Sequence, residues 1–251
     1  MCSINHEKKA LFIHVPKTGG TYIRENLEKY YGFKYFQIKR DDHHTLVNDF
    51  EIQKNIINNH YSGNRIYGII EYFKNTAHSR NIGIFEYSQD SDYLNKKTDM
   101  TSDKWKSYYK FCFIRNPYER LISGYNYCMK YLKIDINFET FIDNQEYLTD
   151  FEYMHTITPQ SKHMYYKNQK IIDSVCKFEN IEEDFKKILL KIGFKENEII
   201  HDKNKKNNNP HKDIKYYIKN QEILNKVNSI LKDDFIKLNF NKIEKINNLL
   251  Y

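Results

Sequence analysis

Residues 10 to 32 read Ala10-Leu-Phe-Ile-His-Val-Pro-Lys-Thr-Gly-Gly-Thr-Tyr-Ile-Arg-Glu-Asn-Leu-Glu-Lys-Tyr-Tyr-Gly32. Ala10 to Val15 is a short apolar run of the kind that forms a buried strand. Pro16 ends it, because proline cannot donate to a strand ladder. After Lys17-Thr18-Gly19-Gly20-Thr21, the residues Ile23, Leu27 and Tyr31 recur at helical spacing, and Gly32 suits the C-terminal cap. The expectation is strand, glycine turn, helix. Such a junction binds anions. Glycines let the backbone approach a ligand closely. The first N–H groups of a helix have no partner inside it, and the helix dipole adds positive potential there. Lys17 contributes a full charge, and Thr18 and Thr21 contribute hydroxyls. The order of residues differs from the Walker A loop, whose lysine follows its last glycine; here Lys17 precedes both.

A second junction of this type follows further on. Phe111 to Ile114 reads as a buried strand, then come Arg115 and Asn116-Pro117-Tyr118-Glu119. Asparagine is a good N-cap, proline is favoured at the first helical position, and Glu119 completes a capping box. The helix continues through Leu121, Ile122, Tyr125 and Met129. Asp173 to Phe178 is a third strand, followed by Asn180 with Glu183 as cap and box and an apolar helix face ending at Gly193. Tyr35 to Ile38 and Ile66 to Tyr72 are further strands, Glu51 to Asn59 a short helix, and Thr101 to Trp105 a turn or short helix. The C-terminus reads as helix from about Tyr216 to Leu238. Strands alternating with helices imply an α/β fold with a central, mainly parallel sheet. In such a sheet both junctions leave the same carboxyl edge, where ligands bind.

The 251 residues suffice for a single domain with a full core, and 16% aromatic residues supply it. The net charge of +7 suits an anionic ligand or acceptor. The short basic run Lys203 to Lys206 is too isolated to imply nucleic acid. The four cysteines form no Cys-x-x-Cys pair, so no zinc or redox motif is indicated, and Cys112 and Cys176 fall in expected strands as small apolar residues. No apolar segment of signal-peptide or membrane-spanning length is present, so a cytoplasmic protein is expected.

His14-Val-Pro-Lys-Thr-Gly-Gly-Thr21 resembles the 5′-phosphosulfate loop of the sulfotransferases that use 3′-phosphoadenosine 5′-phosphosulfate (PAPS). Phe111 to Tyr125 resembles that family's 3′-phosphate strand and helix. Thr158-Pro-Gln-Ser161 and Val175 to Phe185 are similar to further segments of its carbohydrate-type branch, which includes heparan sulfate 2-O-sulfotransferases and bacterial and viral members; Lys177 stands where that branch has arginine. The resemblance implies a P-loop-like three-layer sandwich and a single domain over 1–251. Residues 33–107 would then be a variable acceptor-side region and 201–212 an exposed polar loop. It implies PAPS as donor, adenosine 3′,5′-bisphosphate as product, no metal, and a hydroxyl acceptor, expected to be a glycan. It carries cofactor binding onto Pro16, Lys17, Thr18, Gly19, Gly20, Thr21, Tyr22, Arg115 and Ser123. It places a histidine base after a strand and upstream of Arg115, which His78 satisfies; His44, in a His-x-Thr-Leu pattern, is the other candidate. The alternatives are a P-loop-type kinase or nucleotide-binding enzyme, which would need a Walker A lysine and a strand ending in a metal-binding aspartate, neither of which the sequence shows, and a non-catalytic module binding glycan or nucleic acid.

Overall fold

The computed structural model describes residues 2–36, 102–133, 135–145, 155–166, 169–200 and 212–249. In chain order its elements are β1 (Cys2–Asn5), β2 (Ala10–Ile13), α1 (Gly20–Tyr30), β3 (Lys34–Phe36), α2 (Ser102–Ser107), β4 (Tyr109–Ile114), α3 (Pro117–Leu132), α4 (Phe138–Asp143), β5 (Tyr165–Tyr166), β6 (Gln169–Lys170), β7 (Ser174–Lys177), α5 (Ile181–Lys191), α6 (Ile214–Tyr217), α7 (Gln221–Ile230) and α8 (Lys232–Leu238). The strand expected at 66–72, the helix expected at 51–59 and nearly all of the 201–212 loop lie outside the described residues. The chain divides into two compact units. Among the described residues, one draws on 2–36, 102–116, 160–166 and 169–200, the other on 117–133, 135–145, 155–159 and 212–249.

The first unit holds a five-stranded sheet in the order β3-β1-β2-β4-β7. β2, β4 and β7 pair in parallel, with Ile13 opposite Cys112 and Ile114 opposite Lys177. β1 lies antiparallel between β2 and β3. The α/β architecture expected from the alternating pattern, with a mainly parallel sheet flanked by helices, is therefore present. The pattern gave no strand at Cys2–Asn5. β1 turns back into β2 through Lys9 at φ 49°, with the Lys8 N–H donating to Asn5 Oδ1 at 2.7 Å.

Alternate strand residues share a face. Ala10, Phe12, Phe111, Phe113 and Cys176 pack against Tyr22, Ile23 and Leu27 of α1 and Phe185, Ile188 and Leu189 of α5. The intervening residues Leu11, Ile13, Cys112 and Ile114 are also buried. Strands hidden on both faces read as continuous apolar runs, which is why β2 and β4 stand out in the sequence. Burial raises the Cys176 thiol to about 12 and pushes Cys112 up as well, so both are neutral small apolar side chains at physiological pH.

Helix ends follow local chemistry, with two departures from expectation. Gly32 and Gly193 take positive φ, 66° and 92°, just past the ends of α1 and α5, as C-terminal caps. Asn180, expected to cap α5 with its side chain, makes no cap hydrogen bond. It ends a 3₁₀ turn, Phe178–Asn180, that runs straight into the helix, so it lacks the extended backbone that a capping side chain needs. The dipole is met instead by Glu182, Glu183 and Asp184 in the first turn. The C-terminal helix is three helices rather than one. Asn220 Oδ1 accepts the Ile223 N–H at 2.9 Å and starts α7, and α7 ends at Leu231. The apolar spacing stays in phase across both breaks, so periodicity alone does not reveal them.

The second unit is helical among the described residues. Leu121, Ile122 and Tyr125 of α3 share a core with Phe138 and Phe141 of α4 and with Ile223, Leu224 and Val227 of α7. Arg120 is fully buried inside this unit. Its Nη2 donates to the Thr156 carbonyl at 2.8 Å and also to the Thr158 carbonyl. Burial lowers the guanidinium pKa, and the equally buried Asp234 opposes that shift. Removing one charge of such a set leaves the other uncompensated. Arg120→Ala is expected to lower unfolding stability by about 3 kcal/mol, read by urea melts. Arg120→Met combined with Asp234→Leu should recover much of that loss; no recovery would mean the two charges are not coupled.

Candidate active site

β2 leads through His14, Val15 and Pro16 into a turn that occupies two left-handed backbone positions. Lys17 has φ 68° and Gly19 has φ 78°. A left-handed lysine is uncommon, and such strain concentrates where a side chain must be aimed. Thr18 is fully buried, and its hydroxyl donates to the Val15 carbonyl at 2.9 Å. That proton is committed to holding the loop, leaving the Thr18 backbone N–H as the group to offer an anion. α1 begins at Gly20, no side chain caps it, and its first turn carries no acid. The Gly20, Thr21 and Tyr22 N–H groups therefore open the helix in the manner that suits an anion. Tyr22 itself is buried and Thr21 exposed.

Both glycines are required by close approach. A Cβ on Gly19 would lie 2.7 Å from Ile181 Cδ1 and 3.0 Å from the Phe178 ring. A Cβ on Gly20 would lie 2.2 Å from the ring of His14, which stacks on Phe12 at 6.0 Å. Gly20→Ala is expected to destabilise the fold by about 1–3 kcal/mol through overpacking. Adding His14→Ala should return most of that loss, and a double-mutant melting cycle reads the coupling. Additive losses would mean that His14 is not the obstacle.

Arg115 follows β4, which lies beside β2 in parallel, so the two junctions leave neighbouring strands at the same sheet edge. The Arg115 N–H donates to Gln160 Oε1 at 2.8 Å, and Gln160 Nε2 donates to the Arg115 carbonyl at 2.9 Å. The guanidinium lies 4.5 Å from the centre of the Phe178 ring. The next backbone N–H, of Asn116, donates to Glu179 Oε1 at 2.9 Å. That is the position the expected capping box gave to Glu119, and a long-range carboxylate fills it. Phe178, Glu179 and Gln160 are thus the residues around Arg115 that local sequence reasoning missed. Their only signal was the pair of short segments, Thr158 to Ser161 and Val175 to Phe185, similar to those of known sulfotransferases.

Of the other residues expected at the site, Ser123 lies on α3 in the second unit and is buried. His44 and His78 lie outside the described residues. Among the described residues, no group of three or more His, Cys, Asp or Glu side chains gathers as a metal site, and no helix is long and apolar enough to cross a membrane.

A 91-residue stretch, 36% of this chain, is 31% identical to an uncharacterized protein of Archaeoglobus fulgidus and covers 71% of that protein. No solved structure matches. The profile of the family described as "Sulfotransferase family" matches residues 2–241. That match runs from β1 to just past α8 and includes both strand-to-helix junctions, and the chain belongs to the Sulfotransferase family.

Proposed function

We propose that the protein transfers a sulfuryl group from PAPS to a hydroxyl of a carbohydrate acceptor, with the whole chain acting as one sulfotransferase domain. The observation that carries this reading is the pair of cation-bearing junctions, Lys17 to Tyr22 and Arg115, on adjacent parallel strands at one sheet edge. A donor with a sulfated 5′ end and a separate 3′-phosphate needs two anion sites. The residues present fit that demand: an uncapped helix start with close-approach glycines for one end, and a stacked, backbone-anchored arginine for the other.

PAPS supplies the activated sulfuryl group. The chain's residues then divide the work. The N–H groups from Thr18 to Tyr22 bind the 5′ end, and Pro16 and the two glycines shape the turn that brings them close. Lys17 stabilises the negative charge that grows on the oxygen leaving sulfur. Arg115 offers its fork of donors to the 3′-phosphate, and the Ser123 hydroxyl adds one more. His78 takes the proton from the acceptor hydroxyl as its oxygen attacks sulfur and the sulfur–phosphate oxygen bond breaks; His44 is the alternative base. No metal is assigned a part.

Thermal shift with two nucleotides tests the donor assignment. Adenosine 3′,5′-bisphosphate should raise the melting temperature, since a ligand that binds only the native state stabilises it. ATP with magnesium should do so weakly. The reverse ranking would favour a kinase-like enzyme instead.

A further inference from the structure

Resting on the PAPS reading above, we propose that Gln160 and Phe178 are positioning residues that set Arg115 against a 3′-phosphate and fix its distance from the sulfate-end loop.

Gln160 is fully buried. Its primary amide carries one donor face and one acceptor, as a peptide unit does. It satisfies both polar backbone groups of Arg115, at 2.8 and 2.9 Å. Holding the N–H and C=O of one residue fixes the peptide planes on both sides of its Cα, and so the direction in which the side chain departs. The pairing of β4 with β7 ends one residue earlier, at Ile114 with Lys177, so Gln160 takes over just where the strand ladder stops. Glu179 fixes the following N–H.

Phe178 acts on the other end of the side chain. The guanidinium lies over the ring, 4.5 Å from its centre, within the range of cation–π attraction. The same ring abuts the loop: its Cδ2 and Cε2 would lie 3.0 Å from a Cβ at Gly19. One aromatic side chain therefore touches both anion-binding elements. The span between a nucleotide's 5′ end and its 3′-phosphate is fixed by covalent geometry, so a rigid spacer between the two sites selects ligands by that span. A leucine would fill comparable space beside Gly19 but offer no ring face to Arg115, whereas tyrosine keeps the face.

The test is calorimetric titration with adenosine 3′,5′-bisphosphate and with adenosine 5′-monophosphate. The proteins are the wild type, Arg115→Ala, Phe178→Leu, Phe178→Tyr and Gln160→Met, each checked by melting. Wild type should prefer the bisphosphate, and Arg115→Ala should lose that preference. Phe178→Leu should reduce the preference about three- to thirtyfold, the range of a cation–π contact, while Phe178→Tyr retains it. Gln160→Met should reduce it by about tenfold, through loss of two hydrogen bonds. Affinity for the monophosphate should change little in all of them. If Phe178→Leu and Gln160→Met keep the wild-type preference while Arg115→Ala loses it, the positioning role is wrong and the donor reading stands. An equal fall for both nucleotides would mean a purely structural role and would also overturn it. No preference in the wild type would overturn the donor reading itself, and the positioning role with it. Should Gln160→Met not fold, the Phe178 pair decides.

Discussion

Lys17→Ala should keep the fold and lose about two to three orders of magnitude in turnover, the usual effect of removing one donor that stabilises charge developing in the transition state. Lys17 sits on a turn with φ 68°, only half-buried, so truncation removes no core packing. Alanine meets the same left-handed strain as lysine, so backbone cost should not change between the two. Affinity for adenosine 3′,5′-bisphosphate should fall far less than turnover, because the first-turn N–H groups of α1 remain in place. Lys17→Arg keeps the charge but moves it on a longer, planar group, and an intermediate rate is expected. Near-normal turnover in Lys17→Ala, measured under saturating donor, would remove this loop from the sulfate end.

His78→Ala should lower turnover by about 10²–10⁴-fold, the range for a positioned general base, with affinity for adenosine 3′,5′-bisphosphate nearly intact. His44→Ala is the control, and a full loss there with normal rates in His78→Ala would exchange their roles. The sign of the pH dependence follows from the chemistry. A base must be unprotonated to accept the hydroxyl proton, so turnover should fall as pH drops through an unperturbed histidine value of about 6.5. Normal rates in both variants would point to a carboxylate, with Glu71 and Glu86 as the candidates in sequence; a carboxylate limb would lie lower unless the group is buried.

The parts of this protein legible in its sequence are those written in local chemistry. Ala10 to Ile13 and Phe111 to Ile114 are buried on both faces and so appear as unbroken apolar runs. Gly19, Gly32 and Gly193 mark the backbone turns because their positive φ values are cheap only for glycine. What escaped reading depends on partners distant along the chain. β1 is four residues long with polar members in Ser3 and Asn5, and it exists because β2 and β3 pair with it. The hold on Arg115 comes from Gln160 and Phe178, 45 and 63 residues away, and no spacing rule connects them. Thr18 looked like a free hydroxyl, but it donates its hydrogen bond to the Val15 carbonyl. Asn180 has the right side chain for a cap and the wrong backbone for one, because the preceding 3₁₀ turn leads straight into α5. The left-handed Lys17 carries no signal at all in residue type, since lysine seldom adopts that conformation.

Sulfuryl transfer itself is measured most directly with PAPS labelled in its sulfate, incubated with the purified protein and a panel of glycans, peptides and phenols without added metal. Label is expected on a glycan hydroxyl with adenosine 3′,5′-bisphosphate released in equal amount, and both are expected to be lost in Lys17→Ala. Label confined to peptide tyrosine or phenol would overturn the carbohydrate assignment alone. Stable donor with no label transferred to any acceptor, alongside phosphoryl transfer from ATP to the same panel, would contradict the account.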